Sequence, residues 1–225
     1  MKILILAATK SEVSFLAKKY NFSLQEGNFT KFKVNNSEFD ILISGIGIYS
    51  TTYYLTKILQ KEKYNLVLNI GIAGSLRNFE IGDVVNVVQD EFGDLGIEDD
   101  EKFLTLFEKG YIRASEFPFI DGKLYSNFIE FSDTISDLPE AKGVTYNTTH
   151  CSQNSIDKVK MKFKADIESM EGAAVLYICL QENIHCTQVR SISNKVKPKE
   201  SAKWNIDLAM KNLENVIVKM FEEIC

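Results

Sequence analysis

IESMEGAAVLYICLQENIHCTQVRSISN, residues 167–194, decides how this chain is read. A carboxylate, Glu171, opens an apolar run with helical spacing over residues 170–182. A turn follows, and then a β-branched run, 186–192, ends at an amide, Asn194. This helix-then-strand grammar belongs to an α/β fold, in which ligands collect at the carboxyl ends of the strands. The two polar residues bracketing the segment have complementary chemistry. A carboxylate offers two acceptor oxygens and can grip a pair of sugar hydroxyls. A side-chain amide offers a donor beside an acceptor and suits a base edge with a carbonyl next to a ring nitrogen. Glu171 and Asn194 are therefore read as the ribose and base ends of a nucleoside site.

The same grammar extends along the chain. Short apolar runs predict strands at 2–8, 40–44, 66–70, 83–90, 143–148 and 186–192. Longer periodic runs predict helices at 10–20, 50–63, 155–161, 170–182 and 202–223. Continuously apolar strands between helices imply one central sheet covered on both faces. No repeat, linker or break in composition divides residues 1–225, so a single domain is expected. The stretch 92–137 departs from the pattern. It is rich in Asp, Glu, Gly and Phe, and reads as a loop followed by a short helix, either functional or a plain surface excursion.

Composition narrows the function. A formal net charge of −5 argues against nucleic acid as a partner, and the basic runs 158–164 and 195–199 read as solvated faces. Four cysteines without CxxC spacing and only two histidines, His150 and His185, argue against zinc, and both histidines read as structural or surface groups. The apolar start of the chain is too short for a membrane span and lacks an export cleavage region, so a cytoplasmic protein with reduced thiols is expected.

Glycines follow several strand candidates: Gly45 and Gly47, Gly71 and Gly74, Gly93 and Gly96, and Gly172. Neither SGIGIYS nor NIGIAGSL completes the dinucleotide fingerprint GxGxxG, so no such cofactor is expected. Glu12 lies just beyond the first strand. It reads either as a dipole partner two residues into a helix or as a carboxylate placed to polarise water.

Taken in order, these motifs resemble the nucleoside phosphorylase and nucleosidase superfamily. ILILAATKSEVSFL resembles its first strand and catalytic glutamate, which falls on Glu12. ISGIGIYSTTYYL resembles its second glycine turn. LNIGIAGSL followed by IGDVVNV resembles its central signature, SMEGAA its ribose-binding helix start, and RSISN its base-reading strand end. The resemblance implies a three-layer α/β/α fold with a mixed twisted sheet, no metal or organic cofactor, and a homodimer or higher homo-oligomer. The apolar segments 103–111 and 117–120 are candidates for the subunit contact, or for packing within the chain. It implies catalytic roles for Glu12 and Asn194 and substrate contacts for Glu171, Met170, Ile72, Phe163 and Phe92. For Met170 and Phe163 an ordinary core position is the alternative.

Within the superfamily, Asn69 stands where the phosphorylases carry a phosphate-binding arginine, which implies hydrolysis. Asn194 stands where methylthioadenosine and S-adenosylhomocysteine nucleosidases carry aspartate. DEFGDLGIEDD, ADIESMEGAA and RSISNKVKP resemble the futalosine hydrolases, which release hypoxanthine from futalosine in menaquinone synthesis, while TYNTTHCS departs from them. The implied activity is N-glycosidic hydrolysis of futalosine. A methylthioadenosine-type nucleosidase and a non-catalytic nucleoside sensor are the alternatives.

Overall fold

Strands with no polar side to offer water must be covered on both faces, and this requirement organises the chain. The computed structural model describes residues 1–25, 27–35, 37–99, 102–199 and 203–225. Among them lie β1 (Ile3–Ala7), α1 (Ser14–Lys19), β2 (Phe29–Val34), β3 (Ser37–Ile43), α2 (Ile48–Leu59), β4 (Leu66–Ser75), β5 (Val84–Asp90), β6 (Gly96–Glu98) and β7 (Phe103–Thr105). β8 (Leu124–Tyr125), α3 (Asp133–Ser136), β9 (Glu140–Thr145), α4 (Gln153–Lys162), β10 (Ile167–Ser169), α5 (Gly172–Gln181), β11 (His185–Lys195) and α6 (Ile206–Ile224) complete the order.

The main sheet runs β10-β9-β5-β11-β4-β1-β3-β2, with β8 paired to β5. It is mixed: β1, β3, β4 and β11 are parallel, whereas β2–β3, β5–β11 and β5–β8 are antiparallel. Alternation along β1 shows how the layers form. Ile3 and Ile5 pack with Leu16 of α1 and with Leu213, Ile217 and Phe221 of α6. Leu4 and Leu6 face Leu55 and Leu59 of α2 and Leu176 and Cys179 of α5. The expected three-layer α/β/α arrangement is present. The sheet also curls: β10 pairs in parallel with β9 and in antiparallel with β4, closing a ring of strands around the far end of β4.

Several boundaries differ from expectation, each for a local reason. The first helix starts at Ser14 rather than residue 10, because the N–H and hydroxyl of Thr9 bond to Glu12 and hold residues 9–12 in a turn. Glu12 is thus a turn residue ahead of the helix, not a charge within it. α5 starts at Gly172, with Glu171 in the N-cap position and Ile167–Ser169 already committed to β10, a strand too short to carry a periodic signal. β4 continues through its glycines to Ser75, and β9 lies earlier than expected, at Glu140–Thr145. The last helix begins at Ile206, capped by Asn205 Oδ1, which accepts the Leu208 N–H at 3.1 Å. Ala202, where that helix was expected to begin, lies outside the described residues. In the middle segment, β6 and β7 form a small ribbon where a short helix was expected, and the only helix there among the described residues is the single-turn α3. Asp100 and Glu101, between those strands, are outside the described residues. All four cysteines are free thiols, and no helix among the described residues is long and apolar enough to cross a membrane.

Candidate active site

The carboxyl ends of β1, β4 and β11 and the start of α5 surround a cavity of about 380 Å³, within the usual range for small-molecule sites. Five of the sequence-chosen residues line it: Glu12, Ile72, Met170, Glu171 and Asn194. They are far apart along the chain, and the parallel strands bring them to one end of the sheet.

Glu12 is buried and held by three donors. The Thr9 N–H and Oγ–H reach Oε2 at 2.8 and 3.0 Å, and the Ile72 N–H reaches Oε1 at 3.2 Å. A carboxylate has about four lone-pair sites, so one acceptor site remains, on Oε1. Glu171 accepts the Gly47 N–H at 3.0 Å on Oε1. Gly47 has φ +93°, a left-handed conformation that suits glycine and aims this N–H at the carboxylate.

Between the two carboxylates sits a residue that sequence reasoning passed over. Arg190, on β11, is 1% exposed, and its Nη2 lies 3.8 Å from Glu171 Oε2. Gly71, its register partner on β4, leaves the space that Arg190 and Glu12 fill. A Cβ there would lie 2.4 Å from Arg190 Nη1 and 2.6 Å from Glu12 Oε1. Arg190 Nε–H donates to Gln188 Oε1 at 3.0 Å. Gln188 Nε2–H in turn donates to Asp90 Oδ2 at 3.1 Å, and Thr145 Oγ–H donates to Asp90 Oδ1 at 2.9 Å. Burial pushes the Glu171 carboxyl upward. Arg190 and the Gly47 N–H oppose this, and Glu12 adds to it. Burial likewise raises Asp90 to about 6, against its hydrogen bonds from Gln188 and Thr145. The signal for Arg190 was present in TQVRSIS: an arginine inside an apolar strand needs a buried acid.

Asn194 follows an irregularity. β11 gains one residue against β4 between Ile192 and Asn194, a bulge of the kind that re-aims side chains beside sites. Ser193 and Asn194 both line the cavity, and Ser193 Oγ–H donates to Asn194 Oδ1 at 2.8 Å. The amide Nδ2 donates to the Lys195 carbonyl at 3.4 Å, which leaves its second N–H for a ligand.

Two expected contacts do not reach the cavity. Phe163 ends α4 and is buried against Tyr146, Phe103 and Leu76, so it plugs the core. Phe92 packs edge-on to Tyr177 on the side of the sheet that carries α2 and α5. Asn69 lies buried within β4, outside the lining. Lining residues not anticipated include Thr148, Thr149, Glu168, Trp204 and Met210. Among the described residues, no three His, Cys, Asp or Glu side chains are grouped to hold a metal ion. The described lining contains three carboxylates, Glu12, Glu168 and Glu171, and neither lysine nor arginine.

Residues 2–222 match the family model described as the Phosphorylase superfamily, and the chain belongs to that family. Similar relatives carry the names of a nucleosidase and a hydrolase. The 5′-methylthioadenosine/S-adenosylhomocysteine nucleosidase of Haemophilus influenzae (strain PittEE) is 27% identical over the whole of both chains. The futalosine hydrolase of Acidothermus cellulolyticus is 24% identical over 83% of this chain and 76% of its own. Among solved structures, the native futalosine hydrolase of Helicobacter pylori strain 26695 superposes with a TM-score of 0.78 at 20% identity, covering 99% of this chain and 98% of its own. The 5′-methylthioadenosine/S-adenosylhomocysteine nucleosidase of Helicobacter pylori with butyl-thio-DADMe-Immucillin-A gives 0.77 at 21% identity, with the same coverage.

Proposed function

We propose that this chain is a purine nucleosidase that hydrolyses the N-glycosidic bond of a 6-oxopurine riboside of the futalosine type. The carrying observation is the charge of the cavity: three carboxylates line it among the described residues, without lysine or arginine. Arg190, the cation behind it, is already flanked by Glu12 and Glu171. Such a lining repels phosphate and suits a cationic sugar. As the bond to the base lengthens, the anomeric carbon gains oxocarbenium character. Glu171 holds the ribose hydroxyls, and Met170 and Ile72 pack against the sugar. Glu12 takes a proton from the attacking water through its remaining acceptor site. Asn194 stabilises the negative charge entering the purine. The held and partly filled acceptor set of Glu12 suits catalysis better than a sensor that only binds.

A second reading, a 6-aminopurine nucleosidase of the methylthioadenosine type, is favoured by the higher identity and fuller coverage of relatives bearing that name. Assaying base release from futalosine, inosine and methylthioadenosine, with and without phosphate, separates the two. The expected outcome is phosphate-independent release, fastest from a 6-oxopurine. Formation of ribose 1-phosphate would refute hydrolysis, and faster adenine release would favour the second reading. Assembly into a homodimer or higher homo-oligomer is part of the proposal. The exposed Tyr49 and Tyr53 of α2, with Phe117 and Ile120, supply apolar surface for it.

A further inference from the structure

The N–H that holds Glu171 belongs to Gly47, and a glycine does little to hold itself. At φ +93° it has no Cβ to limit its rotation, and in the N-cap position of α2 it has no side chain with which to cap the first N–H groups of the helix. The cap comes instead from a distant loop. The Ile48 N–H, one residue on, donates to Asn147 Oδ1 at 3.0 Å. The same oxygen would stand 3.2 Å from a Cβ on Gly47, so it lies against both residues of the turn.

Asn147 is itself fixed. Its backbone N–H and its Nδ2–H both donate to Asp94 Oδ2, at 3.0 and 3.2 Å. The two loops meet because β5 and β9 continue to pair beyond their ends. Phe92 bridges Thr145, and the Gly93 N–H donates to the Thr145 carbonyl at 2.9 Å. Gly93 permits the approach, since a Cβ there would stand 2.2 Å from the ring of Tyr146, the neighbour of Asn147. Asp94 thus holds Asn147, Asn147 holds the turn at Gly47 and Ile48, and the turn holds Glu171. This series of bonds joins two walls of the cavity. Ile46 precedes the turn, Thr148 and Thr149 follow Asn147, and all three line the cavity.

We propose that Asn147 is a positioning residue for the sugar contact: it locks the Gly47 turn so that Glu171 meets the ribose hydroxyls in one orientation. This rests on the nucleosidase reading above and deepens it. A carboxylate serves two hydroxyls at once only if its plane is set, and a misplacement of about 1 Å can cost on the order of 10²-fold in rate. The bond from the Gly47 N–H sets that plane, and its direction rests on a residue whose own torsions impose little. Asn147 acts through Glu171 without touching the substrate. It is exposed, so replacing it leaves the core packing intact.

The test measures kcat/KM for base release from inosine and from 2′,3′-dideoxyinosine, with thermal melting as a check on folding. The proteins are the wild type, Asn147→Ala, Asn147→Asp, and Asn147→Asp combined with Asp94→Asn. The dideoxy nucleoside has no hydroxyls for Glu171 to hold. Without those electron-withdrawing groups its glycosidic bond also breaks more readily, so release stays measurable. Where adenosine is the faster substrate, adenosine and 2′,3′-dideoxyadenosine take the same places. Asn147→Ala should slow inosine by roughly 10–10²-fold and dideoxyinosine by about twofold or less, the scatter of uncoupled changes. Asn147→Asp keeps an acceptor for the Ile48 N–H but sets a second carboxylate against Asp94, so it should also be slow on inosine. Adding Asp94→Asn removes the like-charge contact and should recover most of that loss. Equal slowing of both nucleosides by Asn147→Ala would overturn the proposal, because Asn147 would then act on the site as a whole. So would an Asn147→Ala protein as fast as the wild type on inosine, or a combined variant no better than Asn147→Asp alone. A wild type that releases no base from inosine, adenosine or futalosine would overturn the nucleosidase reading and this inference together. An active wild type whose Asn147 variants are unaffected removes this inference alone.

Discussion

Replacing Glu12 by Gln changes one oxygen for one amide nitrogen, and the site amplifies the change. Three of the carboxylate's acceptor positions are filled by Thr9 N–H, Thr9 Oγ–H and Ile72 N–H. A glutamine keeps a single oxygen. If that oxygen stays with the two Thr9 donors, its NH₂ group faces the Ile72 N–H, donor against donor. The amide then stands where the water proton has to be received. The lost backbone bond costs about 1–3 kcal/mol of stability. The lost base costs roughly 10²–10⁴ in turnover, or about 2.7–5.5 kcal/mol in the barrier. Steady-state release of base, followed by ultraviolet absorbance, gives kcat and KM, and thermal melting gives the stability term. KM should move little beside kcat, because the ribose and base contacts are made by other residues. A folded Glu12→Gln protein that turns over within tenfold of wild type would refute the base assignment and leave Glu12 as an anchor for the turn before α1.

Glu171→Ala should lower both activity and stability, since it strands a buried guanidinium and the Gly47 N–H. Removing one partner of a buried pair typically costs about 3–5 kcal/mol, so a melting temperature equal to wild type would argue against the Arg190 contact. Gly172→Ala should destabilise, because its Cβ would stand 2.2 Å from Asp90 Oδ2 and 2.3 Å from Gln188 Oε1. Overpacking of this kind costs roughly 1–3 kcal/mol or more, readable by chemical denaturation. Asp90 is raised from 3.8 to about 6, so the native state holds its proton more tightly than the unfolded chain. Its contribution to stability is fully present below about pH 4 and is lost as pH rises through about 6, an amplitude of roughly 3 kcal/mol. Asp90→Asn should remove that slope from denaturation curves taken between pH 4 and 7, and an unchanged slope would place its origin elsewhere.

The residues that the sequence made legible are those at junctions. Glu12 and Glu171 each lie between a strand and a helix, Ile72 and Asn194 lie near the carboxyl ends of β4 and β11, and the sheet brings such positions to one end. The layers were legible for the same reason, since runs such as ILILA have no polar face to show water. Aromatic residues carried no such positional information. Phe163 and Phe92 are chemically able to stack on a base, and packing assigned them to the core. Glu168 was hidden by the brevity of β10: three residues are too few to show alternation, and the pairing that turns Glu168 toward the cavity is made with distant strands. His150 meets Glu168 only through that same pairing. The turn at Thr9–Glu12 was lost because a side chain bonding to a nearby N–H leaves no periodic trace.

The antiparallel pairing of β10 with Gly74 and Ser75 also governs how the site comes into being. Two strands can share a floor only after the intervening chain, with β5, β8 and β9, has been laid down in register. The base end of the cavity is therefore built on contacts of long sequence separation, the kind whose loop-closure entropy slows folding. No fragment ending before β10 contains it, and opening β10 would dismantle the base end while β1, β3 and the first half of β4 stayed paired. Amide hydrogens at Gly74, Ser75, Ile167 and Glu168 should exchange as one cooperative unit, and a nucleoside in the cavity should slow all four together.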